Sequence, residues 1–340
     1  MTDTRMRREI TEIPEAVARL LDLGAGPVAA AARTMRAADP PLLVTVARGS
    51  SDHACTYLKY ASELLLGLPV ASVGPSVASV YGARLRLGGA VCLSVSQSGA
   101  SPDIVAMTRG ARAGGALTVA LTNDAGSRLA AEAEQVIDIC AGPERSVAAT
   151  KTFVTSALAG LWLLAEVKGD AALLAAIRAL PAALEAARAA DWSALDRALG
   201  AGSVYTLGRG PAWAISNEAA LKFKEVCQIH AESYSSAEVL HGPVSIVERG
   251  FPLLAFAAGD AAEAPLAEVA DALAGKGAVV FATTGAVRAA DALPFVRTGH
   301  PLTDPLALIV SFYAMIERLA VARGLDPDMP RHLKKVTETT

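Results

Sequence analysis

Apolar positions in this chain fall into two alternating patterns. Short runs of valine, leucine and alanine, such as "LLVTV" (42–46), "VCLSV" (91–95) and "LTVALT" (117–122), stop abruptly at glycine or polar residues. Between them lie longer stretches of helical character, such as "HACTYLKYASELLLG" (53–67) and "SPDIVAMTRGARAGG" (101–115). A short continuous apolar run bounded by turn residues suits a strand buried on both faces. Strands alternating with helices imply βαβ crossovers and a parallel sheet.

The strand-like runs repeat at one spacing. "LLVTVARGSS" and "VYTLGRGPAW" each carry an Arg-Gly pair, at Arg48-Gly49 and Arg209-Gly210, an offset of 161 residues. The same offset carries "VCLSVSQSG" onto "PLLAFAAGD" and "ALTVALTND" onto "GAVVFATTG". Three runs at one offset imply an internal duplication. The expected fold class is α/β: two tandem doubly wound parallel-sheet domains, each a three-layer αβα unit of the flavodoxin-like or Rossmann-like kind. Residues 1–40 read as leading helices, 41–168 as the first domain and 201–328 as the second. Residues 169–200 read as an Ala-rich helical linker, kinked or broken at Pro181, and 329–340 as a tail.

Composition narrows the classes. In 340 residues, 52% are hydrophobic and 19% charged, which fits a compact globular protein. The net charge is −3, and no basic cluster is interleaved with aromatics, so nucleic acid is not an expected partner. Cys55, Cys92, Cys140 and Cys227 lack CxxC spacing, which argues against a zinc site or a disulfide framework and suits a reducing cytoplasm. The N-terminus has charges of both signs and no signal-peptide core. The longest apolar stretches, Val154 to Val167 and Pro305 to Ile316, fall short of a membrane span and contain hydroxyls. A soluble cytoplasmic protein without membrane contact is expected.

One segment stands out against that background. "SVSQSGASPD" (94–103) follows a buried strand and places Ser94, Ser96, Gln97, Ser98 and Ser101 within eight positions. Ser101-Pro102-Asp103 has the form of a helix start. In open α/β sheets ligands sit at the carboxyl ends of the strands, where loops meet helix N-termini that favour anions. One serine is accounted for by capping; Ser96, Gln97, Ser98 and Ser101 together exceed it and point to a phosphate. The aligned loop of the second half, Ala257-Ala258-Gly259-Asp260, lacks the hydroxyls and adds a repelling acid, so only the first half is expected to carry the anion site. "ARGSSDHA" adds Ser50 and Ser51 at a neighbouring turn. No GxxxxGK[ST] accompanies them, which favours a single phosphate ester over a nucleoside triphosphate.

Candidate chemistry gathers in the second half. Glu218, Lys222 and Glu225 stand at i, i+4 and i+7, one helix face, which by spacing alone reads as a salt-bridged surface. Glu225 is followed by His230 and His241, and His241 lies in a constrained His-Gly-Pro turn. Lys334 and Lys335 lie near the end of the chain, and spacing does not choose between a solvated pair and a functional one. The dispersed histidines imply no metal, and no cofactor is expected.

Together these segments resemble the sugar isomerase (SIS) superfamily, in particular the isomerase half of glucosamine-6-phosphate synthase and the type II glucosamine-6-phosphate deaminases. "MRREITEIPEA" is similar to the family's leader helix, and "ARGSSDHA", "SVSQSGASPD" and "ERSVAATKTF" to its first-domain motifs. "LGRG", "EAALKFKEVCQIHAESYSSAEVLHGP" and "PRHLKKVTE" are similar to its second-domain and tail motifs. The resemblance implies that Ser50, Ser51, Ser96, Gln97, Ser98 and Ser101 bind phosphate and that Val147 contacts the sugar through its backbone. It implies that Glu225 moves a proton between C1 and C2, and that His241 opens the ring from the other subunit of a homodimer. It assigns Lys335 to the tail lysine capable of a Schiff base and Lys222 to a supporting role. Lys334 stands where the synthase usually has a small residue.

These residue types fit an aminosugar-phosphate reaction: one carboxylate to carry the proton, one histidine to open the ring, one lysine near the imine. Position 2 is Thr, where the synthase's glutaminase domain has its nucleophilic Cys, and the first strand begins near residue 42. The expectation is therefore a chain without that domain, converting glucosamine 6-phosphate and water to fructose 6-phosphate and ammonia. Three alternatives stand beside it: a fructosamine-6-phosphate deglycase, an ammonia-dependent synthase-like isomerase, and a sugar-phosphate sensor without turnover.

Overall fold

A computed structural model describes residues 4–200 and 202–335. The leader forms α1 (Arg5–Thr11), α2 (Ile13–Leu23) and α3 (Ala25–Ala38). The first half then alternates strands β1 (Leu43–Val46), β2 (Val70–Ser72), β3 (Val91–Ser96), β4 (Leu117–Thr122) and β5 (Gln135–Asp138) with helices. These helices are α4 (Ser50–Leu66), α5 (Ser76–Ser79), α6 (Pro102–Ala113), α7 (Arg128–Glu132) and α8 (Lys151–Lys168). Two further helices follow, α9 (Ala171–Arg188) and α10 (Ala194–Ala198). The second half contains β6 (Ser203–Gly208), β7 (His230–Ser235), β8 (Pro252–Ala255), β9 (Val279–Ala282) and β10 (Asp291–Ala292). Its helices are α11 (Pro211–Cys227), α12 (Glu263–Gly275) and α13 (Asp304–Ala322), with two short 3₁₀ turns at Glu238–Leu240 and Pro243–Ile246.

Each half builds a five-stranded sheet, and every pairing within them is parallel. The orders are β2-β1-β3-β4-β5 and β10-β9-β8-β6-β7. Read from the other side, the second is β7-β6-β8-β9-β10, the same topology with each strand replaced by its counterpart. The duplication expected from the 161-residue offset is therefore present in the sheets. The central strands β1, β3 and β8 are buried at every position, as parallel strands covered on both faces must be.

The chain divides into two compact units, neither continuous in sequence. One gathers Arg145–Thr150 and Ala179–Leu333 with the leader up to Pro14; the other gathers Glu15–Glu144 and Lys151–Arg178 with Lys334 and Lys335. In the second of these, Val44, Val46, Cys92, Ile104, Met107 and Leu129 belong to one core cluster. In the first, Tyr205, Leu207, Leu253, Leu266 and Val280 form its counterpart.

Two expectations need revision. The helix is not broken at Pro181: the 18-residue α9 runs from Ala171 to Arg188 with Pro181 inside it. The Pro305 to Ile316 stretch was expected to fall short of a membrane span, yet it lies in the 19-residue α13, long and apolar enough by length and composition to cross one. Most of that helix is buried inside the protein, which is the ordinary position of a core helix.

The packing of α13 holds the helix that carries the candidate base. Phe312 on α13 meets Phe223 on α11 edge to face at 5.3 Å, and Phe256 after β8 at 5.9 Å. All three rings are fully buried. Replacing Phe312 by Ala removes the ring they share and should cost about 3–5 kcal/mol of stability, read as a lower urea midpoint.

Candidate active site

In a sheet of order 2-1-3-4-5 the crossovers leave β1 and β3 in opposite directions, which opens a crevice at their carboxyl ends. Both hydroxyl-rich turns lie there. After β1 the chain turns at Gly49, with φ +54°, so that Ser50 and Ser51 begin α4. After β3 the segment Gln97–Ser101 leads into Pro102 at the first turn of α6. Gly99 there has φ +58°, and a Cβ on it would stand 2.1 Å from Ser127 Oγ, so only glycine fits.

Capping does not account for the serines. Ser101 occupies the N-cap of α6 without a side-chain capping bond, and Asp103 Oδ1 takes the Ile104 N–H at 2.8 Å instead. Ser96 Oγ accepts from Gly99 N–H at 3.2 Å and Ser98 Oγ from Ala100 N–H at 3.3 Å. Both hydroxyls thus use an acceptor site within the loop and retain a proton to donate to an anion. Ser94 belongs elsewhere: its hydroxyl is buried 2.7 Å from Thr108 Oγ1 and serves the core.

Two arginines complete this crevice. Arg48, beside Gly49, reaches Asp103 Oδ2 through Nε at 2.9 Å and Nη2 at 2.8 Å, fastening the first turn to the second. Arg128 on α7 donates to Ala100 O at 2.7 Å. Asp103 balances the Arg48 charge, so it is the Arg128 charge that favours an anion in the crevice. The sequence marked Arg48 only as part of the repeat and Arg128 not at all, because the fold is what brings both to the serines.

The corresponding loop of the second half is filled from within. Asp304 Oδ2 accepts the Gly259 N–H at 2.9 Å. Arg297 donates to Ala257 O at 2.8 Å and to Glu263 Oε1 at 2.5 Å. Burial pushes the Asp260 carboxyl up against the opposing hydrogen bond from Ala262, and Asp304 and Glu263 add to the rise. This carboxylate-lined loop disfavours phosphate, in keeping with its lack of hydroxyls.

The Glu218–Lys222–Glu225 face is not a surface feature. The Glu218 and Lys222 side chains have no solvent exposure, whereas Glu225 keeps 21%. Lys222 Nζ lies 2.5 Å from Glu225 Oε2 and 3.1 Å from Glu218 Oε1, and Tyr313 Oη donates to Glu218 at 3.0 Å. Burial opposes the lysine's charge, but the two carboxylates outweigh it and raise its pKa above the usual lysine value. The result is a cation fixed by an inner acid and presented to an outer, partly exposed one. Such an arrangement holds the outer carboxylate in one orientation.

The remaining residues are placed separately. His241 is exposed after the 3₁₀ turn, its N–H donating to Glu238 O at 2.9 Å, with Leu240 and Ile246 exposed beside it. The Val147 N–H donates to Asp328 O at 3.2 Å, so any backbone contact to a ligand falls to its carbonyl. Leader helix α1 fixes this segment. Glu9, buried on α1, accepts from the amides of Arg145 and Ser146 and from Ser146 Oγ. The Asp328 carboxylate accepts from Arg5 and Met6 N–H, both at 2.8 Å.

Lys335 is three-quarters buried and places Nζ 2.8 Å from Glu144 Oε2, a carboxylate with no exposure. Lys334 is exposed. The last residues of the tail motif, Val336 to Glu338, lie outside the described residues.

Comparison with known families matches the SIS domain over residues 39–166 and 199–287. The chain belongs to the SIS domain family. It is 35% identical, over 97% of its length, to the glutamine–fructose-6-phosphate aminotransferase (isomerizing) of Aeropyrum pernix, and covers 56% of that protein. It thus spans about half the length of the curated relatives it matches. A solved structure from Silicibacter pomeroyi DSS-3, provisionally described as a phosphosugar isomerase, is 69% identical with a TM-score of 0.93, covering 96% of this chain and 100% of that one. The glucosamine-6-phosphate deaminase of Thermotoga maritima has a TM-score of 0.78 at 17% identity, covering 99% and 100%, a likeness of fold.

Three outcomes test this SIS geometry. Gly99→Ala forces the loop off Ser127 and should weaken binding of a sugar phosphate at least about ten-fold by calorimetry. Lys222→Met leaves two carboxylates without their shared cation and should cost about 3–5 kcal/mol in urea unfolding. For Glu144, burial raises the carboxyl, but the Lys335 charge and the hydrogen bonds from Lys335 and Thr152 bring it below its ordinary 4.5. A depressed carboxylate stabilises the fold fully above its unfolded pKa and loses that contribution as pH falls through the folded value. Acid unfolding curves should therefore lose a component below about pH 4.5 that Glu144→Gln lacks.

Proposed function

We propose that this chain is a phosphosugar isomerase acting on an aminosugar phosphate, releasing ammonia from glucosamine 6-phosphate to give fructose 6-phosphate. The observation that carries this reading is the Lys222–Glu225 pair: a partly exposed carboxylate held 2.5 Å from a wholly buried ammonium. Proton transfer between adjacent carbons needs a carboxylate fixed in position, within reach of both.

The phosphate would occupy the crevice of Ser50, Ser51, Ser96, Gln97, Ser98 and Ser101, in which Ser96 and Ser98 each keep a hydroxyl proton to donate. His241 would protonate the ring oxygen and take the proton from O1, opening the ring to the aldehyde. Glu225 would then remove the C2 proton and return it to C1 while O1 gains a proton and the amino nitrogen gives one up, converting the aminoaldose to the C2 imine of the ketose. Water adds at C2, ammonia leaves, and fructose 6-phosphate remains. Lys335 and the Val147 carbonyl would face the C2 end, where an ammonium favours the developing oxygen charge. His241 would serve the partner chain of a homodimer; its exposure between Leu240 and Ile246 supports that placement.

The direct test follows ammonia and fructose 6-phosphate together during incubation with glucosamine 6-phosphate. Equal yields are expected, with Glu225→Gln lowering kcat by about 10²–10⁴-fold while the sugar still binds. Binding without either product would sink the deamination and direct attention to fructosamine 6-phosphates. For the shared site, inactive Glu225→Gln and His241→Asn chains are mixed after unfolding and refolding together. Hybrid dimers should restore about a quarter of wild-type activity, because one of two sites per hybrid is intact. No restoration would place His241 and Glu225 in sites of the same chain.

A further inference from the structure

Glu144 has no part in the proposed reaction, yet its carboxylate is wholly buried beside a lysine that does. Removing a carboxylate from water is costly unless its lone pairs are filled. Thr152 supplies two donors, its N–H to Oε1 at 3.1 Å and its Oγ1 to Oε2 at 2.7 Å, and Lys335 Nζ supplies another to Oε2 at 2.8 Å. Thr152 stands in the first turn of the 18-residue α8, whose dipole also favours a negative charge at that end. Oε2 is thus a fixed point, held by a helix that is buried from Lys151 to Ala165.

Lys335 has no such scaffold of its own. Arg331 to Lys334, which lead to it, are all exposed. A free lysine side chain carries about 2 kcal/mol of rotamer entropy, which a reacting group must lose before it acts. The contact with Glu144 removes that freedom in advance.

We propose that Glu144 is the positioning residue for Lys335: anchored by Thr152, it holds the tail ammonium at one point and presents it to the C2 end of the bound sugar. Glu144 acts through the lysine and needs no contact with substrate. The role at C2 rests on the function proposed above; the hold on Lys335 does not.

The test separates the two. Full-length protein is labelled with a limiting amount of acetic anhydride at fixed pH, and each lysine is read by peptide mass spectrometry, with no sugar present. Exposed Lys334 serves as the internal reference. Lys335 should label several-fold more slowly than Lys334 in the wild type, and Glu144→Gln should bring the two rates together. Thr152→Val, which keeps the carboxylate but loosens it, should move the ratio the same way and serves if Glu144→Gln does not fold. A ratio near one in the wild type, or one unmoved by either folded variant, overturns the assignment. In turnover, Glu144→Gln should lower kcat by at least about ten-fold with KM changed by less than about two-fold, and Glu144→Asp should recover part of the loss. A loss confined to KM overturns the positioning role. A wild type inert towards aminosugar phosphates, with labelling still dependent on Glu144, would overturn the functional reading and leave the hold on Lys335 standing.

Discussion

A parallel strand cannot turn directly into its neighbour. It must leave the sheet, cross one face and return, so every strand delivers a loop and a helix start to the same edge. That constraint governs both halves of this protein. It places the turns after β1 and β3 side by side where the crossovers diverge, and these two turns carry the clustered hydroxyls. Arg48 and Asp103 exploit the proximity: residues 55 positions apart form an ion pair because the topology makes their turns adjacent.

Buried charge is the second organising cost. Lys222 between Glu218 and Glu225, and Glu144 between Thr152 and Lys335, are each sustained by partners that satisfy them inside the protein. In both, one member reaches toward solvent while the other is sealed. The sealed partner fixes the outer one in place. Removing water strengthens each such interaction.

Much of this was legible in the sequence, for reasons that can be named. Strand periodicity and the 161-residue offset revealed the duplicated sheets, because fully buried parallel strands leave unbroken apolar runs. The Ser96 to Ser101 loop was legible because its hydroxyls exceed what a helix start requires. The charged clusters were less so. Spacing assigned Glu218, Lys222 and Glu225 to one helix face but gave no sign that the face is buried, which depends on α13 and the hydroxyl of Tyr313. Arg128 and Glu144 went unnoticed, and Arg48 served only as a marker of the repeat, because each becomes relevant to the site only through a partner distant in sequence. A break at Pro181 did not follow from the sequence, because the proline is accommodated within α9.

The plugged loop of the second half has a consequence for stoichiometry. Asp304 is covalently part of the chain, so its carboxylate is offered to Gly259 N–H at an effective concentration no free anion matches. A duplicated fold begins with two equivalent crevices, and a permanent internal occupant removes one from competition. On the proposed reading, each chain takes up one phosphate ester rather than two, because in one half of a formally symmetric repeat a side chain of the protein stands where the other half leaves room for an anion.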